Sequence, residues 1–160
     1  ITLIFTMNKQ TASKLPVQTP CIGLCSTVFG DKVCRGCKRY TEEIVGWNAY
    51  SQTEKQAIDD RLQQHLQQIL ATRFVVNDAD KFERALQDNN IRYIKARSPL
   101  CWVNDLLRTN VVESEPLENF GLSVVAGLEG QALADIRQQL DTELYALSEA
   151  HYQRYIAVGE

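Results

Sequence analysis

Four of the five cysteines lie in one short segment, PCIGLCSTVFGDKVCRGC, which runs from Pro20 to Cys37. Their spacing is Cys21-x3-Cys25-x8-Cys34-x2-Cys37, which makes two close thiol pairs separated by a loop. Two such pairs can converge on one point, and a cage of thiolates suits a tetrahedral metal ion or a small iron–sulfur cluster. The spacing therefore predicts a metal centre held by Cys21, Cys25, Cys34 and Cys37.

These residues leave the identity of the metal open. The Cys-x-Gly-Cys turn and the close pairs fit structural zinc well. The same ligands can hold an iron–sulfur cluster, although the spacing matches neither of the common ferredoxin patterns. Gly23 and Gly36 lie inside the two pairs, where a positive φ can turn backbone amides toward the sulfurs. Either centre would have four protein ligands and no open position, which favours a structural or electron-transfer role over hydrolysis.

Four cations surround the cysteines: Lys32, Arg35, Lys38 and Arg39. A zinc tetrathiolate carries net negative charge, so nearby cations stabilise it, and we expect this role for them. A nucleic-acid patch built from Arg35, Lys38 and Arg39 is the alternative. The hypothesis of a dithiol redox enzyme that uses Cys34 and Cys37 has less support, because the presence of the other thiol pair, Cys21 and Cys25, makes metal binding the simpler explanation.

Composition indicates an ordinary globular protein of one domain or two small ones, with 160 residues, 44% of them hydrophobic and 23% charged. Up to Thr72 there are 8 Lys+Arg against 6 Asp+Glu, and from Arg73 onward 9 against 14. Neither part has the basic excess that would favour nucleic acid. No apolar run approaches the roughly 18 residues of a membrane span, so we expect no membrane association.

The first residues, ITLIFT, lack the basic leader and the cleavage site of a signal peptide, and Met7 reads like a natural start. We therefore expect residues 1–6 to be non-native, residues 1–19 to form a disordered tail, and the protein to be cytoplasmic. Thiols stay reduced in the cytoplasm, which favours a metal over disulfides. No phosphate-binding loop, GxSxG or HExxH motif is present, so we lean against an enzyme.

Helices are predicted to follow the cysteines. Thr41 is a plausible N-cap for a short helix to about Tyr50, and SQTE at Ser51 is a capping box that starts a second one. The second helix carries a continuous apolar stripe formed by Ile58, Leu62, Leu66, Ile69 and Leu70. We expect it to cover the cysteines, with Trp47 and Tyr50 shielding the thiolates. His65, at the edge of the stripe, is expected to be packed or exposed and not a ligand.

The cysteine segment and the residues that follow it resemble a known bacterial family. PCIGLC, followed by CRGCKRYTEEIVGWNAYS and a helix start, resembles the bacterial family catalogued as domain of unknown function 1289, over about Pro20 to Leu62. That family is commonly labelled a predicted iron–sulfur protein, so the resemblance implies a metal site and favours a cluster, but it implies no reaction. The family's cysteine positions fall here on Cys21, Cys25, Cys34 and Cys37. Tyr40 departs from the family pattern. The other matching positions are Gly23, Gly36, Arg39, Glu43, Ile44 and Trp47.

The rest of the chain is predicted to be mostly helical with short strands. Short strands are expected at 26–28, 32–33, 74–76, 91–94 and 121–126, with an acidic loop at 113–118. Helices are expected after Asn77 or Asp78, ending at Asn89-Asn90, and after Ser98-Pro99. Cys101 falls in the latter helix, where a lone thiol is expected to be a small core residue and not a nucleophile.

The longest predicted helix runs from about Gln131 to Val158. Its apolar stripe contains Leu133, Ile136, Leu140, Leu144, Leu147, His151, Tyr155 and Val158. We expect this stripe to join the core, with His151 hydrogen-bonded there. A homodimer through this helix is the alternative.

The fold class predicted is α+β, mostly helical: a small four-cysteine metal knuckle module (20–72) with covering helices, and a helical domain (73–160) with a few short strands. The function predicted first is a non-enzymatic metal-binding module fused to a domain that binds an unidentified protein partner. An iron–sulfur electron carrier or a redox or iron sensor is the second hypothesis, and a nucleic-acid-binding zinc module is the third.

Overall fold

The computed structural model describes residues 16–159. The expectations for residues 1–15 therefore lie outside the described residues. The α-helices are α1 (Thr41–Gly46), α2 (Gln52–Leu70), α3 (Ala79–Asp88), α4 (Pro99–Leu107) and α5 (Leu133–Tyr155). The strands are β1 (Phe74–Val76) and β2 (Leu122–Val124). Short 3-10 helices occupy Ser26–Phe29, Trp47–Ala49, Val111–Glu113, Leu117–Phe120 and Ala157–Gly159. The mostly helical α+β class is confirmed.

Helix α2 begins at the predicted capping box. The Ser51 hydroxyl accepts the Glu54 N–H at 3.2 Å, and the Glu54 carboxylate accepts the Ser51 N–H at 3.2 Å. The first part of its apolar stripe, Ile58 and Leu62, packs with Trp47 and Val17. The remainder joins the main core, and α2 packs against α4 and α5. None of the helices within residues 16–159 combines the length and apolarity that a membrane span requires.

Strands β1 and β2 pair antiparallel, with Phe74 opposite Val124 and Val76 opposite Leu122. Helix α3 follows β1 and is capped by Asp78, whose carboxylate accepts the Lys81 N–H at 3.0 Å. The main core gathers side chains from both strands and from α2 to α5. Its most deeply buried members are Leu70, Phe74, Phe82, Leu86, Val103, Leu106, Phe120, Leu122 and Ile136.

Two predicted strands, at 91–94 and 26–28, are wrong, and a third, at 32–33, is reduced to a single bridge. Residues 91–94 follow a Schellman turn at the end of α3, in which Asn90 has φ +54° and the Ile91 N–H donates to Leu86 O at 2.9 Å. The indole of Trp102 then donates to Ile94 O at 2.9 Å. Residues 26–28 form a 3-10 helix that ends at Gly30, and of the predicted strand at 32–33 only an isolated Val33–Tyr40 bridge is found.

Helix α1 begins at Thr41, the predicted cap, so the N-cap position falls one residue earlier, on Tyr40. The Glu43 carboxylate accepts the Tyr40 N–H at 2.9 Å, whereas the Thr41 hydroxyl donates to Asp31 O at 3.1 Å. Helix α5 ends at Tyr155, before the predicted limit. Its buried residues are Ile136, Leu140, Ser148 and Tyr152, whereas Tyr155 and Val158 are exposed.

Contacts across Thr72 hold the early and late parts of the chain together. Arg97 donates to the Asp59 carboxylate at 2.8 Å, and the Tyr152 hydroxyl donates to the Glu42 carboxylate at 2.9 Å. Nearer the cysteines, Lys38 pairs with Asp141 at 2.6 Å. The division of the chain into a module at 20–72 and a helical domain at 73–160 stays a prediction.

Candidate metal centre

The second thiol pair lies in a tight loop closed by backbone hydrogen bonds. The Cys34 N–H donates to Arg39 O at 2.9 Å, and the Lys38 N–H donates back to Cys34 O at 2.9 Å. Lys38 takes the left-handed conformation, with φ +66°, which is uncommon for a residue with a side chain. Its ammonium group is buried and donates to Arg35 O and to Asp141, so a charge-assisted contact with α5 holds this strained position.

The Cys34 sulfur is the most strongly perturbed thiol of the site. Burial raises its pKa, but the backbone N–H groups of Cys37, Ser26 and Gly36 together with the Cys37 side chain more than offset that effect and lower the pKa to about 7. Several amides directed at one sulfur stabilise a thiolate, and a thiolate is the form that binds metal. The backbone around Cys34 therefore favours the thiolate form of this sulfur.

Cys37 lies beside Cys34 in a different environment. Burial raises the pKa of the Cys37 thiol, opposed by Arg39, whose Nε donates to the sulfur at 3.3 Å. The guanidinium of Arg39 also stacks over the Trp47 ring, 4.8 Å from its centroid. Trp47 thus reaches the cysteines by way of Arg39. Tyr50, which was expected to shield the thiolates, packs with Trp47 and donates its hydroxyl to Glu42 O at 3.3 Å.

The first thiol pair belongs to a loop that packs on the second. Leu24 O accepts a hydrogen bond from the Cys34 thiol at 3.5 Å, and the Ser26 hydroxyl accepts the Arg35 N–H at 2.8 Å. A Cβ on Gly36 would lie only 2.7 Å from Leu24 O, so the contact requires glycine there. The two cysteine loops can thus approach this closely only because residue 36 is glycine.

The structure brings Cys34 and Cys37 together and places the Cys21–Cys25 loop next to them. Cys21 is exposed, and its sulfur accepts the Gly23 N–H at 3.3 Å; the Cys25 sulfur lies 3.0 Å from the Thr27 hydroxyl. Among residues 16–159, no three Cys, His, Asp or Glu side chains are grouped so that they could hold a metal ion. The donors suit zinc or a cluster in kind, and their convergence stays a prediction.

The remaining candidate residues lie elsewhere. Cys101 is buried in α4, and its thiol faces Gln63 O at 3.7 Å. Burial raises the pKa of Cys101, so this thiol is not activated as a nucleophile.

A polar network lies next to the cysteines and could not be predicted from the sequence, because its members are far apart along the chain. Arg61 donates to both oxygens of Glu43, at 2.6 and 2.7 Å, and lies 4.0 Å from the centroid of the Tyr40 ring. The Tyr40 hydroxyl and His151 Nδ1 are 2.6 Å apart, and the His151 ring contacts His65 with centroids 5.0 Å apart. This network connects the end of the second cysteine loop to α2 and α5.

The pKa values of both histidines of this network are lowered. Burial lowers the pKa of His65, and His151 and Arg61 add to that effect. Burial and Arg61 lower the pKa of His151, opposed by Glu43. His151 is thus hydrogen-bonded within the protein, and His65 is packed, as the sequence predicts.

A cavity of about 400 Å³ adjoins the cysteine loops. Cys21 and Cys37 line one side. The other sides come from α2, from residues 91–94 and 97, and from α4 and α5. The sequence carries no local signal for this cavity, because its walls come from separated parts of the chain.

Comparison with known proteins matches the cysteine region alone. Residues 19–66 match the model of a family described as Protein of unknown function (DUF1289). The curated "Uncharacterized protein YdhL" of Escherichia coli (strain K12) and that of Shigella flexneri are each 44% identical over 43 residues, which is 27% of this chain and 53% of theirs. The chain thus spans about half the length of the curated relatives it matches. No solved structure matches it. The cysteine region is therefore similar to the DUF1289 family, as its motif indicates.

Proposed function

We propose that residues 20–72 form a thiolate metal-binding module in which Cys21, Cys25, Cys34 and Cys37 hold one zinc ion or one iron–sulfur cluster. The observation that carries the proposal is the environment of Cys34, whose sulfur is contacted by the backbone amides of Cys37, Ser26 and Gly36 and by the Cys37 side chain. The contact of Leu24 with Gly36 supports it further, because this contact puts the two cysteine loops side by side. The donor set supplies soft sulfur ligands, which suit both zinc and iron–sulfur centres.

The proposed role is not enzymatic. When bound, the metal would cross-link the two cysteine loops, and a cluster could also carry an electron. All five cysteines are free thiols, which supports a reducing compartment such as the cytoplasm. The acidic remainder of the chain is proposed to bind a protein partner, with the apolar side chains of Ile156 and Val158 still exposed after α5 has packed.

An electron carrier or a redox or iron sensor is the second candidate. It is favoured by the exposure of Cys21, because a centre with a ligand at the surface can exchange electrons with a partner or meet oxygen. The nucleic-acid alternative finds less support. Lys38 and Arg39 are buried in contacts with Asp141 and Trp47, so neither is available to a phosphate backbone.

The test is elemental analysis and a visible spectrum of the full chain produced without air. Stoichiometric zinc in colourless protein supports a structural zinc module; iron and sulfide in brown protein support the cluster and the carrier or sensor role. Cys34→Ser should abolish metal retention and lower the melting temperature, whereas Cys101→Ser serves as the matched control and should retain the metal. Protein that binds neither zinc nor iron after reconstitution would overturn the proposal.

A further inference from the structure

The cavity beside the cysteine loops gathers positive charge from an acidic part of the chain. From Arg73 onward acidic residues outnumber basic ones by 14 to 9. Of the 9 basic residues, Arg92, Arg97 and Arg108 line the cavity, but of the 14 acidic ones only Asp105 does. Lys38 adds a fourth cation from the second cysteine loop. Such a local reversal of charge is what an anion site requires.

The four cations differ in how they are compensated. Lys38 pairs with Asp141, and Arg97 pairs with Asp59 at 2.8 Å. Within residues 16–159, Arg92 and Arg108 have no carboxylate within 4.0 Å. These two arginines therefore retain their charge toward the cavity.

The acidic group of the lining, Asp105, has a raised pKa. Burial raises the pKa of Asp105, opposed by Arg108 and Arg97, so its ionised form is disfavoured relative to an exposed aspartate. Arg108 also follows the C-terminus of α4, where a cation interacts favourably with the last carbonyls. That local role does not account for Arg92, which lies in a separate segment.

Hydrogen-bonding capacity is also unused in the lining. Within the described part of the chain, the Nε of Arg97 and the Oε1 of Gln63 are buried without a hydrogen-bond partner. Buried polar groups are nearly always satisfied, by protein, water or ligand. A bound oxyanion would bring acceptor oxygens to the guanidinium of Arg97, and a water bound with it could serve Gln63.

We propose that this cavity binds a small molecule bearing an oxyanion, a carboxylate or a phosphate, through Arg92 and Arg108. Its volume of about 400 Å³ falls in the range of small-molecule sites. The flat, forked guanidinium groups match the oxygens of both anions. Because Cys21 and Cys37 line the same cavity, the anion would lie next to the cysteine loops, although its binding does not depend on the metal.

The test is isothermal titration calorimetry of the full chain at low ionic strength, first with inorganic phosphate and then, in a separate experiment, with citrate. We expect one site per chain for at least one of them. Arg92→Met/Arg108→Met should weaken binding at least about tenfold, because charge-assisted hydrogen bonds are lost. Arg84→Met/Arg137→Met removes the same charge from exposed positions outside the cavity and should leave the affinity unchanged.

Circular dichroism melts of both double variants establish that they fold; if the cavity double variant does not, the single Arg92→Met and Arg108→Met variants replace it. Saturable binding that only the cavity variants weaken supports the proposal, and the stronger of the two titrants identifies the anion class. Absence of binding to both anions, or equal weakening by the cavity and control variants, overturns it. Metal analysis of the same samples separates the two proposals, because anion binding to metal-free protein would leave this one standing.

Discussion

Replacing Arg61 by methionine should destabilise the protein by about 2–3 kcal/mol, because it leaves the Glu43 carboxylate largely buried without its counter-ion. The two side chains are only 18% and 13% exposed, and both guanidinium Nη atoms donate to the carboxylate, at 2.6 and 2.7 Å. The same carboxylate accepts the Tyr40 N–H at 2.9 Å. The substitution therefore weakens the capping interaction that Glu43 makes at the start of α1, immediately after the cysteine loops.

The magnitude follows from burial. Breaking one side of a fully buried ion pair costs about 3–5 kcal/mol, whereas exposed pairs contribute about 0–1 kcal/mol. Exposures of 18% and 13% let some water reach the carboxylate, and the Tyr40 N–H compensates part of the loss, which places the cost below the buried range. In urea, a loss of this size should lower the unfolding midpoint by about 1 M for a chain of this length.

The assay is urea unfolding followed by circular dichroism, with Arg35→Met as the matched control. Arg35 pairs with Asp31 at 3.1 Å, but these side chains are 64% and 32% exposed, so the control should cost less than about 1 kcal/mol. A double-mutant cycle with Glu43→Gln should give a coupling energy of at least about 1 kcal/mol. Equal losses for Arg61→Met and Arg35→Met would refute the assignment of Arg61 as a structural counter-ion.

Three further outcomes are expected. Since the pKa values of His65 and His151 are lowered below the ordinary 6.5, stability should be complete above about pH 6.5 and fall as the pH decreases through the folded values. Melting temperatures measured from pH 8 to pH 5 give this pH dependence of stability. If His151→Phe has the same pH dependence as the unsubstituted protein, the role assigned to His151 is contradicted. Gly36→Ala should cost about 1–3 kcal/mol by crowding Leu24 O, read as a lower melting temperature; an unchanged one would mean that the loops do not touch. Phe82→Ala should cost about 3–5 kcal/mol in urea unfolding, because Phe82 is fully buried in the main core; a loss below about 1 kcal/mol would contradict that packing.

Elements with a local start signal were predictable from sequence. The capping box at Ser51, the cap at Asp78 and the Ser98-Pro99 pair each precede a helix in the structure. At Ser51 and Asp78 the side chain accepts a backbone N–H within one turn, whereas Ser98 makes no such bond and Pro99 has no N–H that needs a partner. Both effects are local and do not depend on the rest of the fold. The grouping of the cysteines into two adjacent loops was likewise foreseeable from their spacing.

Features that depend on distant partners were not predictable. Residues 91–94 have the composition of a strand, but the end of α3 and the Trp102 indole use their backbone groups. The apolar period of α5 continues to Val158, yet the helix ends at Tyr155, where no core remains to cover those side chains. The Arg61–Glu43 pair forms only once α1 and α2 have packed, and the cavity forms only once α2, α4 and α5 have packed.

The position of the second cysteine loop depends on α5, which lies outside the residues that match a known family. Lys38 contacts Asp141, Tyr40 contacts His151, and the Tyr152 hydroxyl donates to Glu42 at 2.9 Å; these partners are 103 to 111 residues apart in sequence. Burial of the Lys38 ammonium and the left-handed backbone of Lys38, with φ +66°, are both costly. The contact of Lys38 with Asp141 must therefore stabilise the loop conformation that presents Cys34 and Cys37. It follows that the matched residues carry the cysteines that we propose as ligands, while the C-terminal helix of this chain holds the loop of Cys34 and Cys37 in place. A change in α5 should therefore alter the chemistry of thiols that it does not itself contain.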